Sequence, residues 1–259
     1  MTKRLKSDLA WSAPDRIVVR GLNLVDDIIG KVSLGDMAFL ELKGRLPTRA
    51  ESIVFNAIVV TLVEHGVTPS AIVARLTHFG APESLQGAVA AGLLGMGDRF
   101  GGSTEEAART LQEALATAPP KADLRAVARK VVAEHRASKR PIAGLGHPIH
   151  KPADPRTAKL FALAAEHGLS GRHVQLIELI AEEATGAYGK DLPVNATGAI
   201  AALAGELELS WAVCRGLAVM ARAIGLVAHI QEEIGDPMAA EIWSRTEAEA
   251  TEHLRSDRE

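Results

Sequence analysis

Apolar positions recur every three to four residues along this chain, and most of these runs carry helix punctuation at their ends. In "TRAESIVFNAIVVTLVEHG", Thr48 and Glu51 stand at capping-box spacing and Gly66 supplies a stop. "TPSAIVARLTHFG" opens with Thr68 as N-cap and Pro69 at the first helical position, and it closes at Gly80. "STEEAARTLQEAL" repeats the box with Ser103 and Glu106, and "ADLRAVARKVVAEHRAS" keeps the helical period. "DPRTAKLFALAAEHG" starts on Asp154 and Pro155 and stops at Gly168. Two further runs, "RHVQLIELIAEEATGAYG" and "SWAVCRGLAVMARAIGLVAHIQEEIG", complete the series. No sustained period-two alternation appears, so the pattern predicts an all-α protein whose Ala- and Gly-rich helices pack closely. The Pro-Pro pair in "ATAPPKAD", residues 116–123, must break a helix, and marks a domain boundary or an interhelical loop. The polar tail "SRTEAEATEHLRSDRE" is expected on the surface.

Composition narrows the function classes. With 259 residues, 47% hydrophobic and 24% charged, the chain can bury a substantial core in one large domain or two unequal ones. A net charge of −3, with acids and bases interspersed, argues against a nucleic-acid partner. The basic start "MTKRLKSDLAW" lacks the apolar stretch of a secretory signal, and runs such as "AAGLLGMG" and "AIAALAG" are too short to span a bilayer. The expectation is a cytoplasmic protein with no membrane partner. The single cysteine, Cys214, forms no internal disulfide and reads as a small buried residue.

Four stretches carry candidate chemistry. In "GLGHPIHKPADPR", Gly144 and Gly146 allow close approach of a ligand to backbone, and Pro148 keeps His147 out of helical geometry. Arg156 follows in the first turn of a helix, where a bound carboxylate or phosphate gains from both the guanidinium and the free amides. An ordinary Gly-Pro turn and a common first-turn arginine are the plainer alternatives. "GMGDRFGGSTEEAA" places two glycines before a helix start, but without the Lys-Ser/Thr ending of a phosphate loop. In "KDLPVNATGAIAAL", Asn195 is a cap candidate for a helix of small residues. In "ARAIGLVAHIQEE", Arg222 and His229 lie seven residues apart, on nearly one face of an apolar helix. A buried arginine there needs an anion, either a structural carboxylate or that of a substrate. The nine histidines include no His-x-x-x-His pair and cysteine ligands are lacking, so no metal site is expected. No Gly-x-Ser-x-Gly elbow supports a serine hydrolase.

Taken in order, these stretches resemble the citrate synthase superfamily. "GLGHPIHKPADPR" is similar to its Gly-x-Gly-His…Asp-Pro-Arg signature, "LPVNATGAI" to its Leu-Pro-Asn-x-Asp entry, and "RAIGLVAHIQEE" to its Arg-Ala-x-Gly-x-x-Ala-His-x-x-Glu helix. Upstream, "LVEHGVTPSAIVARL" and "AVAAGLLGMGDRFGG" resemble the family's His-Gly…Ala-Arg segment and the stretch after it. "DRFGGSTEEAA" resembles the citryl-CoA lyase module of ATP-citrate lyase more than the synthases, which usually have histidine where this chain has Phe100. The resemblance spans roughly residues 20–235. It implies an all-helical, citrate synthase-like fold, with a large and a smaller domain and a cleft between them. The expected division is 1–120 for the first part of the large domain, 121–220 for the small domain and 221–259 for the return.

The implied activity is retro-Claisen cleavage of citryl-CoA to acetyl-CoA and oxaloacetate, or the reverse, in a homodimer or larger homo-oligomer. Coenzyme A would enter as part of the substrate, with no permanently bound cofactor, and the partners would be an acyl-CoA thioester and a small dicarboxylate. By the resemblance, His147 polarises the reacting carbon, Arg156 and Arg222 hold carboxylates, and His65, Phe100 and Asn195 line the same pocket. Gly144, Leu145 and Gly146 would lie against the thioester end of coenzyme A. The family's catalytic aspartate is replaced by Thr197, which cannot act as a carboxylate base near neutral pH. Asp98 and Asp191 are candidate replacements. "GDPMAAEIW" also lacks the arginine that a synthase subunit lends to its partner's site. Two alternatives follow from these departures: a lyase for another 3-hydroxyacyl-CoA, or a non-catalytic acyl-CoA or carboxylate binder.

Overall fold

The computed structural model describes residues 5–146 and 153–256. A short antiparallel meander comes first: β1 (Ala10–Ala13), β2 (Arg16–Val19) and β3 (Leu22–Asn23), in the order β1-β2-β3. Val18 pairs with Trp11 on one side and with Asn23 on the other. The chain is predominantly helical, as expected, and among the described residues this one small sheet lies at its start. Its strands are too short to show an alternation in sequence. Arg20 and Gly21 turn β2 into β3 with φ of 49° and 85°, as a tight hairpin requires.

Helices dominate the remainder: α1 (Leu34–Lys43), α2 (Arg49–Val63), α3 (Pro69–Gly80), α4 (Leu85–Leu94), α5 (Ser103–Thr117) and α6 (Leu124–Ala137). After them come α7 (Pro155–Glu166), α8 (Arg172–Tyr188), α9 (Ala196–Glu206), α10 (Trp211–Gly235), α11 (Ala239–Ala250) and the short α12 (Glu252–Ser256). The predicted caps form where their donors are free. Thr48 and Glu51 bond reciprocally at 2.8 and 3.3 Å, and the Thr68 hydroxyl accepts from Ala71 N–H. The Ser103–Glu106 box does not form. The chain enters α5 already helical, through a π-helical turn at Gly97–Gly102, with Ser103 itself at φ −63° and ψ −30°.

Two compact units result, the first from residues up to Val59 with Thr104–Cys214, the second from Val60–Ser103 with Arg215–Glu259. The units divide at 59/60, 103/104 and 214/215. Pro119 and Pro120 fall in the loop between α5 and α6, inside the first unit.

The first unit is organised around α9, which is buried at Ala196 and at every position from Gly198 through Gly205. Its small residues let neighbours approach: a Cβ on Gly205 would meet the His173 ring at 2.4 Å. Glu206 closes the far end of α9 and accepts the His173 and Val174 N–H groups at 2.8 and 3.1 Å, capping α8 from outside its own sequence. A separate cluster of Val19, Ile28 and Leu40 seats the meander, and Phe39 meets Phe55 edge-on with centroids 5.3 Å apart.

In the second unit Ala74, Ala88, Leu226 and Ile230 form a core among α3, α4 and the later part of α10. Gly92 permits it, because a Cβ there would lie 2.8 Å from a Leu226 methyl. By length and composition α10 could cross a membrane, with an 18-residue window of mean hydropathy 1.5, although 44% of that window is buried within the fold.

Candidate active site

The Gly-x-Gly loop is latched to the head of α9. Leu145 forms an antiparallel bridge with Val194, Gly146 N–H donates to the Pro193 carbonyl at 2.7 Å, and Asn195 N–H donates to the Gly144 carbonyl at 3.0 Å. Asn195 holds both partners: its Oδ1 accepts from Gly198 N–H at 3.1 Å as the N-cap, and its Nδ2 donates to the Gly146 carbonyl at 2.6 Å. Gly144 and Gly146 adopt φ of 90° and 68°, a region that side-chain-bearing residues resist. The predicted cap forms, and the close approach that the glycines allow is made here by the head of α9. His147 lies outside the described residues.

Asp154 joins two helix starts. It caps α7 by accepting from Arg156 N–H at 3.0 Å, and its other oxygen accepts from Ala196 N–H, at the first residue of α9, at 3.0 Å. The Arg156 guanidinium grips the same carboxylate with Nε at 3.0 Å and Nη2 at 2.8 Å, a bidentate pair. Burial pushes the Asp154 carboxyl up, but the Arg156 guanidinium and the two backbone donors outweigh it and hold the group at about 2. Arg156 is thus anchored by its own helix cap through Nε and Nη2. Thr197 sits half-buried in the first turn of α9, one residue beyond the Asp154 contact.

Another cluster lies in the second unit, around Glu64 just past the end of α2. One Glu64 oxygen accepts from His65 N–H and from Gly66 N–H, both at 2.7 Å. His229 Nε2 lies 3.2 Å from the other oxygen, and Arg222 Nη1 lies 3.6 Å from the carboxylate. The face shared by Arg222 and His229 therefore meets a single acid. Arg222 Nη1 is buried and makes no hydrogen bond among the described residues. Burial raises the Glu64 carboxyl, but the backbone donors and His229 prevail and lower it overall. Asp98, on the π-helical turn, is exposed and paired with Arg215 at 2.8 Å, and Phe100 beside it is half exposed. Asp191 is exposed in the first unit.

A cavity of about 570 Å³ opens beside the Gly-x-Gly loop. Arg136, Lys139, Arg140 and Lys190 give it a basic rim, and Ile142, Leu145, Tyr188 and Leu192 give it apolar walls. Neither this rim nor Glu64 stands out in sequence, and Asp154 stands out only as a helix start, not as the partner of Arg156 and Ala196. The available signal is the rule that a buried arginine needs an acid, and that rule does not say which acid.

The model of the family described as citrate synthase, C-terminal domain, matches residues 37–243. The chain belongs to this citrate synthase family. Within the family, it is 36% identical to citryl-CoA lyase from Hydrogenobacter thermophilus, with a TM-score of 0.82 over 90% of this chain and 88% of that one. A probable ATP-citrate synthase of Caenorhabditis elegans is 28% identical over 217 residues, and probable ATP-citrate synthase subunit 1 of Neurospora crassa is 27% identical over 235. The chain spans only 19% and 34% of the length of these two curated relatives. Citrate synthase from Thermotoga maritima shares the fold alone, at 21% identity and a TM-score of 0.63 over 79% of this chain and 55% of that one.

Proposed function

We propose that the protein is a carbon–carbon lyase of the citryl-CoA lyase type, cleaving citryl-CoA to acetyl-CoA and oxaloacetate or catalysing the reverse. The likeness to the Hydrogenobacter thermophilus citryl-CoA lyase over nearly the whole of both chains carries this reading. The basic rim of Lys139, Arg140 and Lys190 suits the phosphates of coenzyme A, and the apolar wall suits its adenine and pantetheine arm. Gly144 to Gly146 would then face the thioester. Arg156, held on Asp154 through Nε and Nη2, and Arg222, whose Nη1 faces Glu64 without a hydrogen bond among the described residues, would each take a substrate carboxylate.

In cleavage the tertiary hydroxyl gives up its proton and the carbon–carbon bond breaks. Its electron pair passes into the thioester as an enolate, which takes a proton to become acetyl-CoA. His147 would polarise the oxygen at the breaking carbon. Threonine at 197 can neither lend nor remove the methyl proton, so that task passes to another group, with Asp98 and Asp191 as the candidates. The test is release of acetyl-CoA and oxaloacetate from citryl-CoA by the purified protein, with His147→Ala as control. Loss of turnover in that variant supports the reading, and loss in Asp98→Asn or Asp191→Asn identifies the replacement acid.

Thr197 also favours a second reading, in which the chain acts on another 3-hydroxyacyl-CoA or binds acyl-CoA without turnover. Tight acetyl-CoA binding with no citryl-CoA cleavage by wild type, and cleavage gained by Thr197→Asp, would support it.

A further inference from the structure

Arg75 on α3 is fully buried and is held by three acceptors from α10. Its Nη1 donates to Glu233 at 2.9 Å, Nη2 bonds Glu232, and Nε and Nη2 approach His229 Nδ1 at 3.3 and 3.0 Å. Glu233 is itself fixed, accepting the N–H groups of Met238 and Ala239 at the start of α11. A guanidinium has donors only, so His229 Nδ1 must accept, and the ring proton must sit on Nε2. Nε2 faces Glu64, which accepts the hydrogen bond from its N–H. The contacts form a directed series: Arg75 sets the His229 tautomer, His229 orients Glu64, and Glu64 steadies the His65–Gly66 turn and faces Arg222.

We propose that His229 is a positioning residue, which holds Glu64 so that Arg222 presents its donors to a substrate carboxylate. The proposal rests on the lyase reading for the identity of the ligand, but its geometry does not. Arg222 is the end of the series that touches substrate. With Glu64 fixed by His229 and two backbone amides, its carboxylate stands 3.6 Å from Arg222 Nη1, close enough to balance the charge, while Nη1 makes no hydrogen bond among the described residues. Replacing His229 by a residue that cannot donate toward Glu64 leaves that carboxylate free to turn onto Arg222 and compete with the ligand.

Glutamine can reproduce the polarity of this imidazole, with a carbonyl toward Arg75 and an N–H toward Glu64, whereas leucine can supply neither. The experiment compares His229→Gln and His229→Leu in citryl-CoA cleavage. The expected result is a KM raised about tenfold in His229→Leu with a smaller change in kcat, and recovery to within about twofold of wild type in His229→Gln. Equal damage in both variants, or none in either, overturns the proposal. A long-range proton–nitrogen spectrum of the wild-type imidazoles tests the same point without turnover. His229 should appear as the Nε2–H tautomer, and a proton on Nδ1 overturns the series at its first link. A wild type that fails to cleave citryl-CoA while showing the Nε2–H tautomer would count against the lyase reading and leave the series standing.

Discussion

Gly144 and Gly198 are built directly against each other. A Cβ on Gly198 would lie 2.4 Å from the Gly144 carbonyl oxygen, and a Cβ on Gly144 would lie 2.7 Å from the Gly198 Cα. At this pair, loop and helix meet backbone to backbone. Gly198→Ala is expected to destabilise the fold by about 1–3 kcal/mol, because the intruding methyl meets backbone that cannot rotate away. Urea denaturation checks this, and a midpoint equal to wild type would mean that the loop parts from α9 without cost.

The Asp154 carboxylate should give the protein a distinct acid sensitivity. Its folded value of about 2 lies below its ordinary 3.8, so its contribution is fully present above about pH 4 and is lost as pH falls through about 2. The contribution at pH 7 is about 2 kcal/mol. In urea melts across pH 2–7, Asp154→Asn should be less stable than wild type at neutral pH, and the two curves should converge toward pH 2. Parallel curves would assign the acid sensitivity elsewhere.

Cys214 is fully buried, and burial pushes its thiol up to about 12. Thiolate is the reactive form, so the folded protein should resist alkylation near neutral pH and label fully in denaturant. Mass spectrometry after iodoacetamide treatment reads both states. Rapid labelling under native conditions would show that α10 opens locally around this residue.

The basic rim makes a charge-specific prediction. Lys139→Ala with Lys190→Ala should weaken acyl-CoA binding about tenfold, and less for a dephosphorylated coenzyme A analogue. Calorimetry with acetyl-CoA and its dephospho form tests this, and equal losses for both ligands would place the 3′-phosphate away from this rim.

The sequence reveals what depends on neighbours in the chain and conceals what depends on neighbours in space. Asn195 and Asp154 can be read as caps because a cap bonds within its own first turn. Their second partners, Gly146 and Ala196, are 49 and 42 residues away and have no local signature. Arg222 and His229 can be placed on one face from helical period alone, yet Glu64, which joins them, is 165 residues from His229. The Ser103–Glu106 box misleads because a cap forms only where the chain enters the helix from extended backbone, and here it enters from a π-helical turn. The meander escapes the pattern because strands of four, four and two residues carry too few positions to define a period.

The buried α9 also constrains how this protein can change. Asp154 ties the head of α7 to Ala196 at one end of α9, and at the other end Glu206 caps α8. Any side chain that thickened the middle of α9 would shift both ties together, so the helix itself is a poor source of new specificity. Variation is better tolerated in the segments that hang from its ends. A library meant to retune the acyl group should hold Gly144, Gly146 and 193–205 constant and diversify 139–143 and 188–192.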